Sequence, residues 1–253
     1  REGMSQLLAT LARFDIKATF TVPGVMAGML GDSLRELILD GHEVAAHGFK
    51  HEDVATLSRD EEKARMDLTT EILTRVLGKQ PSGWYSLPRQ NDPFAVGTIS
   101  PHTMELAIEA GYRYFGNGLS DDIPHYWVAN FERRSAILTM PYFYHFDDQF
   151  FLLFPAKGTG LEHADTLFAN WRAEFDAQYK RGRHFNMTLH PHAIGWCNRI
   201  KLLEDFFGHM RSLPDVWNPT AGQCADYWLE TYPAATHLHL EASIWQDYPG
   251  SLS

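Results

Sequence analysis

The sequence predicts an α/β fold with parallel strands, of barrel or doubly wound type. Three observations carry that expectation. Short β-branched apolar runs alternate with amphipathic stretches of roughly 10 to 20 residues. Capping residues open several of those stretches and glycines close them. The 253 residues contain no internal repeat, low-complexity segment or linker, so one domain is the economical organisation.

Taken in order, "EGMSQLLATLARFD" places Met4, Leu7, Leu8 and Leu11 at helical spacing. The chain opens on Arg1 without a signal-peptide pattern, as though entered inside a fold. "IKATFTV" (16–22), closed by Pro23-Gly24, reads as a buried strand. "DSLRELILDG" puts Leu34, Leu37 and Ile38 on one helical face, with Asp32-Ser33 at its start and Gly41 as its stop. "HEVAAH" (42–47) is the next strand. Ser58 and Glu61 form a capping box at the head of a long helix that runs to about Leu77 and stops at Gly78. "SGWYSLP" is a short strand entering a loop, and Ser100-Pro101 opens a helix ending at Gly111, followed by the strand "YRYFG". Residues 117–160 are less regular, with "ILTMPYFY" as one strand. A helix from about Glu162 to Lys180, the strand "HFNMTLH" (184–190), a helix over roughly 199–212 and a last helix from Thr220 complete the pattern.

Composition excludes several partners. A net charge of −10 argues against a nucleic-acid backbone or an anionic membrane surface. The densest apolar run, "FFLLF" at 150–154, falls far short of the roughly 20 residues of a membrane span. Cys197 and Cys224 make neither a disulfide framework nor a cysteine-rich zinc site, so a reducing cytoplasm is the expected location.

In parallel α/β folds, functional groups collect where strands end. Three strand ends carry titratable side chains: His47 and His51; Tyr85, Arg89 and Asp92; His190 and His192. If a helical turn starts after Gly48, His51 swings back under His47 and both rings can face one ion; neutral imidazole suits zinc and similar divalent metals. Two histidines are too few, and a carboxylate would complete the set. The competing reading is a backbone-bonded His47 beside a solvated His51. His190 is either a catalyst or a structural hydrogen-bonder, and in "HPH" only one of His190 and His192 need enter a pocket. Arg89 either orients an anionic group or pairs with Asp92 at the surface. "HFDD" (145–148) offers a base and a ligand, but acids after an aromatic strand are usually solvated loop residues.

The segments "IKATFTVPG", "GHEVAAHGFKHEDVATLS", "GWYSLPR", "AGYRYFGNGLSDDIPHYW" and "TLHPHAIG", in that order, resemble the polysaccharide deacetylase (NodB-homology) family. The resemblance covers residues 1 to about 230 and implies a distorted (β/α)7 barrel, here without its N-terminal strand or strands. Within the family, "GWYSLPR", "SPHT", "DDIPHYW" and "VWNPTAGQCADYW" resemble the branch of allantoinases and cyclic imidases. Carried over, His47 and His51 match the metal ligands, His190 the histidine that protonates the leaving nitrogen, and Arg89, loosely, the motif arginine. The family's Asp pair, which gives the general base and third ligand, is expected upstream of Arg1; "HFDD" stands in the wrong place in the order for that role.

The resemblance therefore implies a hydrolase of non-peptide C–N bonds, with a divalent metal, zinc by preference, opening a small cyclic amide, imide or ureide. Some relatives without the second histidine work without metal, which makes a metal-independent reaction the alternative; His51 is present here. N-deacetylation of a polysaccharide and a non-catalytic binding role are the competing functions. Trp84, Tyr85, Trp127 and Tyr144, with His192, are candidates for the substrate pocket, against core and rim packing. The whole of 1–253 is expected to be one NodB-like catalytic domain. Its tail, 234–253, with Ile244, Trp245 and Tyr248, packs on the barrel or on a neighbouring subunit of a homo-oligomer.

Overall fold

The computed structural model describes residues 2–86, 99–118, 120–143, 146–153 and 164–238. Six strands form one sheet: β1 (Thr19–Val22), β2 (Glu43–Ala46), β3 (Gly83–Trp84), β4 (Tyr114–Gly118), β5 (His125–Asn130) and β6 (Ser135–Pro141). Their order is β1-β2-β3-β4-β6-β5, parallel throughout except for the last pair. The sheet is open among the described residues.

The antiparallel β5 departs from the all-parallel expectation. It lies in the stretch that reads as irregular, because an edge strand with most residues half-buried on both sides shows no clean alternation. The strand expected over 184–190 reduces to one bridge, Thr188 to Asp147. Its neighbourhood explains why: Asn186 donates its side-chain amide to Pro141 O at 2.8 Å, at the end of β6 where a ladder bond would otherwise form.

Eleven helices are described. α1 (Glu2–Arg13) precedes β1; α2 (Gly24–Met29) and α3 (Gly31–Leu39) follow it, and α4 (Arg59–Leu77) follows β2. α5 (Thr103–Glu109), α6 (Asp148–Leu152), α7 (Ala164–Arg181), α8 (Pro191–Ile194), α9 (Cys197–Arg211), α10 (Ala221–Thr231) and α11 (Ala234–His237) complete the set. The four-residue α8 and the six-residue α2, with its small apolar sequence GVMAGM, carry no periodicity long enough to read.

The capping box at α4 forms as expected: Ser58 Oγ accepts from Glu61 N, and Glu61 Oε2 accepts from Ser58 N at 2.9 Å. Gly78 ends the helix at φ 77°, a conformation other residues resist. α5 starts later than Ser100-Pro101 suggests. The Ser100 hydroxyl is drawn to the buried carboxylate of Glu62, and Thr103 Oγ1 donates to the same carboxylate at 2.5 Å, so the first helical turn begins beyond them.

Pleating divides the sheet into two faces. Val44, Trp84, Phe115 and Ile137 pack with α3, α4 and α5. Tyr85, Tyr114, Leu138 and Met140 face the other way, toward Cys224 and Ala225 of α10. That inner face is anchored by Glu43, which accepts from Thr19 Oγ1 at 2.8 Å, Gly222 N at 2.7 Å and Tyr114 OH at 3.0 Å. A Cβ on Gly222 would stand 2.6 Å from that carboxylate, so a larger residue there would shift Glu43 from its donors. A third core, around Leu7, Leu11, Trp171, Phe206 and Phe207, joins α1, α7 and α9. No described helix is long and apolar enough to cross a membrane.

The capping box sets a direct expectation. Ser58→Ala should lower the unfolding free energy by about 1 kcal/mol, read as a reduced urea midpoint with unchanged slope. An unaltered midpoint would show that the box contributes nothing.

Candidate active site

β2 delivers His47 at its carboxy end, where His47 N continues the ladder to Val22 O at 3.0 Å. The chain then turns through Gly48 at φ 64° and His51 at φ 61°. Two left-handed residues, not the expected helical turn, bring the rings together, with centroids 4.5 Å apart and planes at 82°. A histidine in that conformation is uncommon, and the loop over-determines it: Gly24 N and Val25 N bond to Gly48 O and Phe49 O, each at 3.0 Å.

His47 Nδ1 lies 3.3 Å from Tyr85 O. A carbonyl only accepts, so Nδ1 carries the hydrogen and Nε2 is left with its lone pair. Burial, and next the charge of His51, push the His47 pKa down to about 3, against the opposing pull of the Tyr85 carbonyl; His190 adds a smaller push in the same direction. His47 is therefore neutral near pH 7, the form in which imidazole binds metal.

His190 ends the 184–190 segment and stands at the head of α8, with Pro191 fixing the first helical position. Its backbone N–H points at both carboxylate oxygens of Asp148, at 3.0 Å each, and its Nδ1 lies 2.8 Å from Asp148 Oδ1. Asp147 Oδ1 is 3.4 Å from the same nitrogen. Asp147 also caps α6, accepting from Gln149 N at 2.9 Å and from Tyr142 OH at 2.6 Å.

The acids of "HFDD" are thus not solvated loop residues, contrary to the reading of the tetrapeptide. Asp147 is 2 % and Asp148 0 % exposed. Burial raises the Asp148 pKa, while hydrogen bonds and charge from His190 oppose the rise. One ligand atom each from Asp147, Asp148 and His190 lie within 4.8 Å of one another, so this group too could hold an ion. Its carboxylate oxygens already accept protein N–H and O–H groups, which suits an orienting pair for His190 better.

The other expected residues divide by face. Tyr85 follows Trp84 and points inward: its ring covers Gly116, stands 6.0 Å from the Tyr114 ring, and burial raises its hydroxyl pKa. Trp84 is 2 % exposed, packs on Tyr112 at 5.2 Å and belongs to the helix-side core, so it is not a pocket wall. Trp127 pairs with Ile137 on that same outer face and is likewise displaced from the site. The His192 ring lies 5.6 Å from that of His190. Arg89, Asp92, Tyr144 and residues 239–253 of the tail lie outside the described residues.

α1 meets the site from its own end. A Cβ on Gly3 would stand 2.4 Å from Pro191 O and 3.3 Å from Gly195 Cα, so the first turn of α1 lies directly against α8.

Residues 1–115 match the profile of the polysaccharide deacetylase family. A peptidoglycan deacetylase of Helicobacter pylori is 22 % identical over 91 % of this chain and 85 % of its own length. Among solved structures, a putative polysaccharide deacetylase from Mycobacterium smegmatis is 27 % identical, with a TM-score of 0.78 over 91 % of this chain and 78 % of that one. The Puue allantoinase is 26 % identical, with a TM-score of 0.80 over 92 % and 74 %. The fold is accordingly an α/β fold of the NodB type expected from the resemblance, with a sheet that is open among the described residues.

His47 also sets a pH dependence for metal-free protein. Its folded pKa of about 3 lies below the ordinary 6.5, so between those values the unfolded chain binds a proton that the folded state refuses. Stability should therefore be fullest above pH 6.5 and fall as the pH drops toward 3. His47→Gln should flatten this limb in urea titrations of chelated protein, and a limb of unchanged slope would contradict the assignment.

Proposed function

We propose, from the match of residues 1–115 to the polysaccharide deacetylase family, that the chain hydrolyses a non-peptide C–N bond, opening a small cyclic amide, imide or ureide. The observation that carries this reading is His190, clamped by a buried carboxylate next to the His47–His51 pair. That arrangement offers a proton donor beside two neutral-capable nitrogen ligands, the parts that cleavage of a poor leaving amine requires.

The two imidazoles fit a divalent metal, since His47 is held neutral with Nδ1 turned to a carbonyl. When bound there, zinc or a similar ion lowers the pKa of water toward about 7 and polarises a carbonyl. A carboxylate would complete the set in this reading. Asp148 fixes Nδ1–H of His190, leaving Nε2 to donate to the departing nitrogen, and it stabilises the imidazolium that holds that proton.

The likeness to an allantoinase supports a small cyclic substrate. The relative from Helicobacter pylori favours a second reading, N-deacetylation of an amino-sugar polymer. Full-length protein supplied with zinc should open hydantoin, succinimide or allantoin without releasing acetate from chitin oligomers. Acetate release alone would transfer the function to deacetylation, and inactivity on every substrate would leave a binding role.

The residues separate in two assays. His51→Ala should lose bound metal and turnover together, by well over about tenfold. His190→Ala and Asp148→Asn should each lower turnover about a hundredfold while metal content holds. Unchanged turnover in either would remove the proton-donor assignment.

A further inference from the structure

Trp196 stands six residues beyond His190, at the head of α9, and 61 % of it is exposed. Single exposed apolar side chains are ordinary on protein surfaces. This one differs in being held. Its indole Nε1 donates to His192 O at 3.3 Å. Beneath it lies Arg199, 2 % exposed, whose guanidinium carbon is 5.8 Å from the centre of the ring. Arg199 is fixed in turn, with Nη1 donating to Ala193 O at 2.5 Å. His192 and Ala193 are residues of α8, the turn that His190 opens.

From this geometry we infer that Trp196 is a stacking surface for the ring of the substrate and a specificity-determining residue of the site. The inference rests on the proposed amide-ring hydrolase and deepens it by naming the recognition of a planar cyclic amide. One face of the indole is occupied by the guanidinium, which leaves the other for a ligand. A cation behind the ring holds it by its quadrupole, and the Nε1 bond fixes rotation about the side chain. A ligand stacking on such a ring meets a surface already ordered, so little side-chain entropy is lost on binding. The anchor atoms are carbonyls of the His190 turn, which ties the position of the stacked ring to that of the proton donor.

Calorimetric binding of hydantoin to full-length zinc-loaded protein tests this, with chitotriose as the competing ring. Trp196→Ala should weaken hydantoin binding and raise KM by about tenfold while kcat changes little, and Trp196→Phe should restore most of the loss. Arg199→Met should weaken binding in the same direction, with Trp196 retained. Urea midpoints of the variants establish that each is folded; should Trp196→Ala unfold, Trp196→Phe and Arg199→Met decide in its place. Hydantoin binding that is equal in wild type and Trp196→Ala would overturn the inference, as would the absence of hydantoin binding to the wild type. Trp196-dependent binding of chitotriose instead of hydantoin would overturn the planar-ring assignment. Hydantoin bound through Trp196 but never hydrolysed would refute the proposed reaction and leave the stacking surface standing.

Discussion

The contact on which the candidate site depends is the one between Asp148 and His190. A carboxylate with no exposure is costly in an apolar interior unless its oxygens are saturated by donors. Asp148 meets that demand with one residue, taking both the main-chain and the ring N–H of His190. The bonds run both ways in effect: the acid is made tolerable, and the imidazole has one orientation and one tautomer. Asp147, held by the α6 cap and Tyr142, closes the other side. Two segments, the one between β6 and α6 and the one before α8, are thereby fastened at a point where no continuous strand runs.

β2 supplies the complementary constraint. Its inward residues alternate from Glu43 to Ala45 to His47, so one short strand carries an anchoring acid at its start and the His47 imidazole at its end. Glu43 is locked by β1, β4 and the head of α10, which fixes the register of the strand. A slip of one residue would turn His47 to the helix-side core and expel the Glu43 carboxylate from its donors. The position of the histidine pair is therefore set from the far end of the strand as much as from its own loop.

Much of the fold was legible in the sequence, because α1, α4, α7, α9 and α10 have long periods or explicit caps. β5, α2 and α8 were not, being too short or too evenly half-buried to show a period. In the site, His47, His51 and His190 were legible from their place at strand ends. The Asp pair was visible as letters and set aside, since nothing local links Asp148 to a histidine 42 residues later. Trp84 and Trp127 misled for a related reason. Pleat decides which face a strand residue joins, and the face turned to the site is set by pairing that one sequence does not display.

The two histidines of the candidate site differ in what accepts from Nδ1. His47 gives its Nδ1 hydrogen to a carbonyl, a neutral acceptor that does little to hold a positive ring against burial. His190 gives its own to the buried Asp148 carboxylate. In the proposed reaction the ligand is unprotonated and the proton donor protonated at one pH. Burial and the charge of His51 hold His47 neutral, and the Asp148 carboxylate gives His190 one orientation. The surroundings of each ring, more than the mere presence of the histidines, decide whether they can serve the proposed reaction.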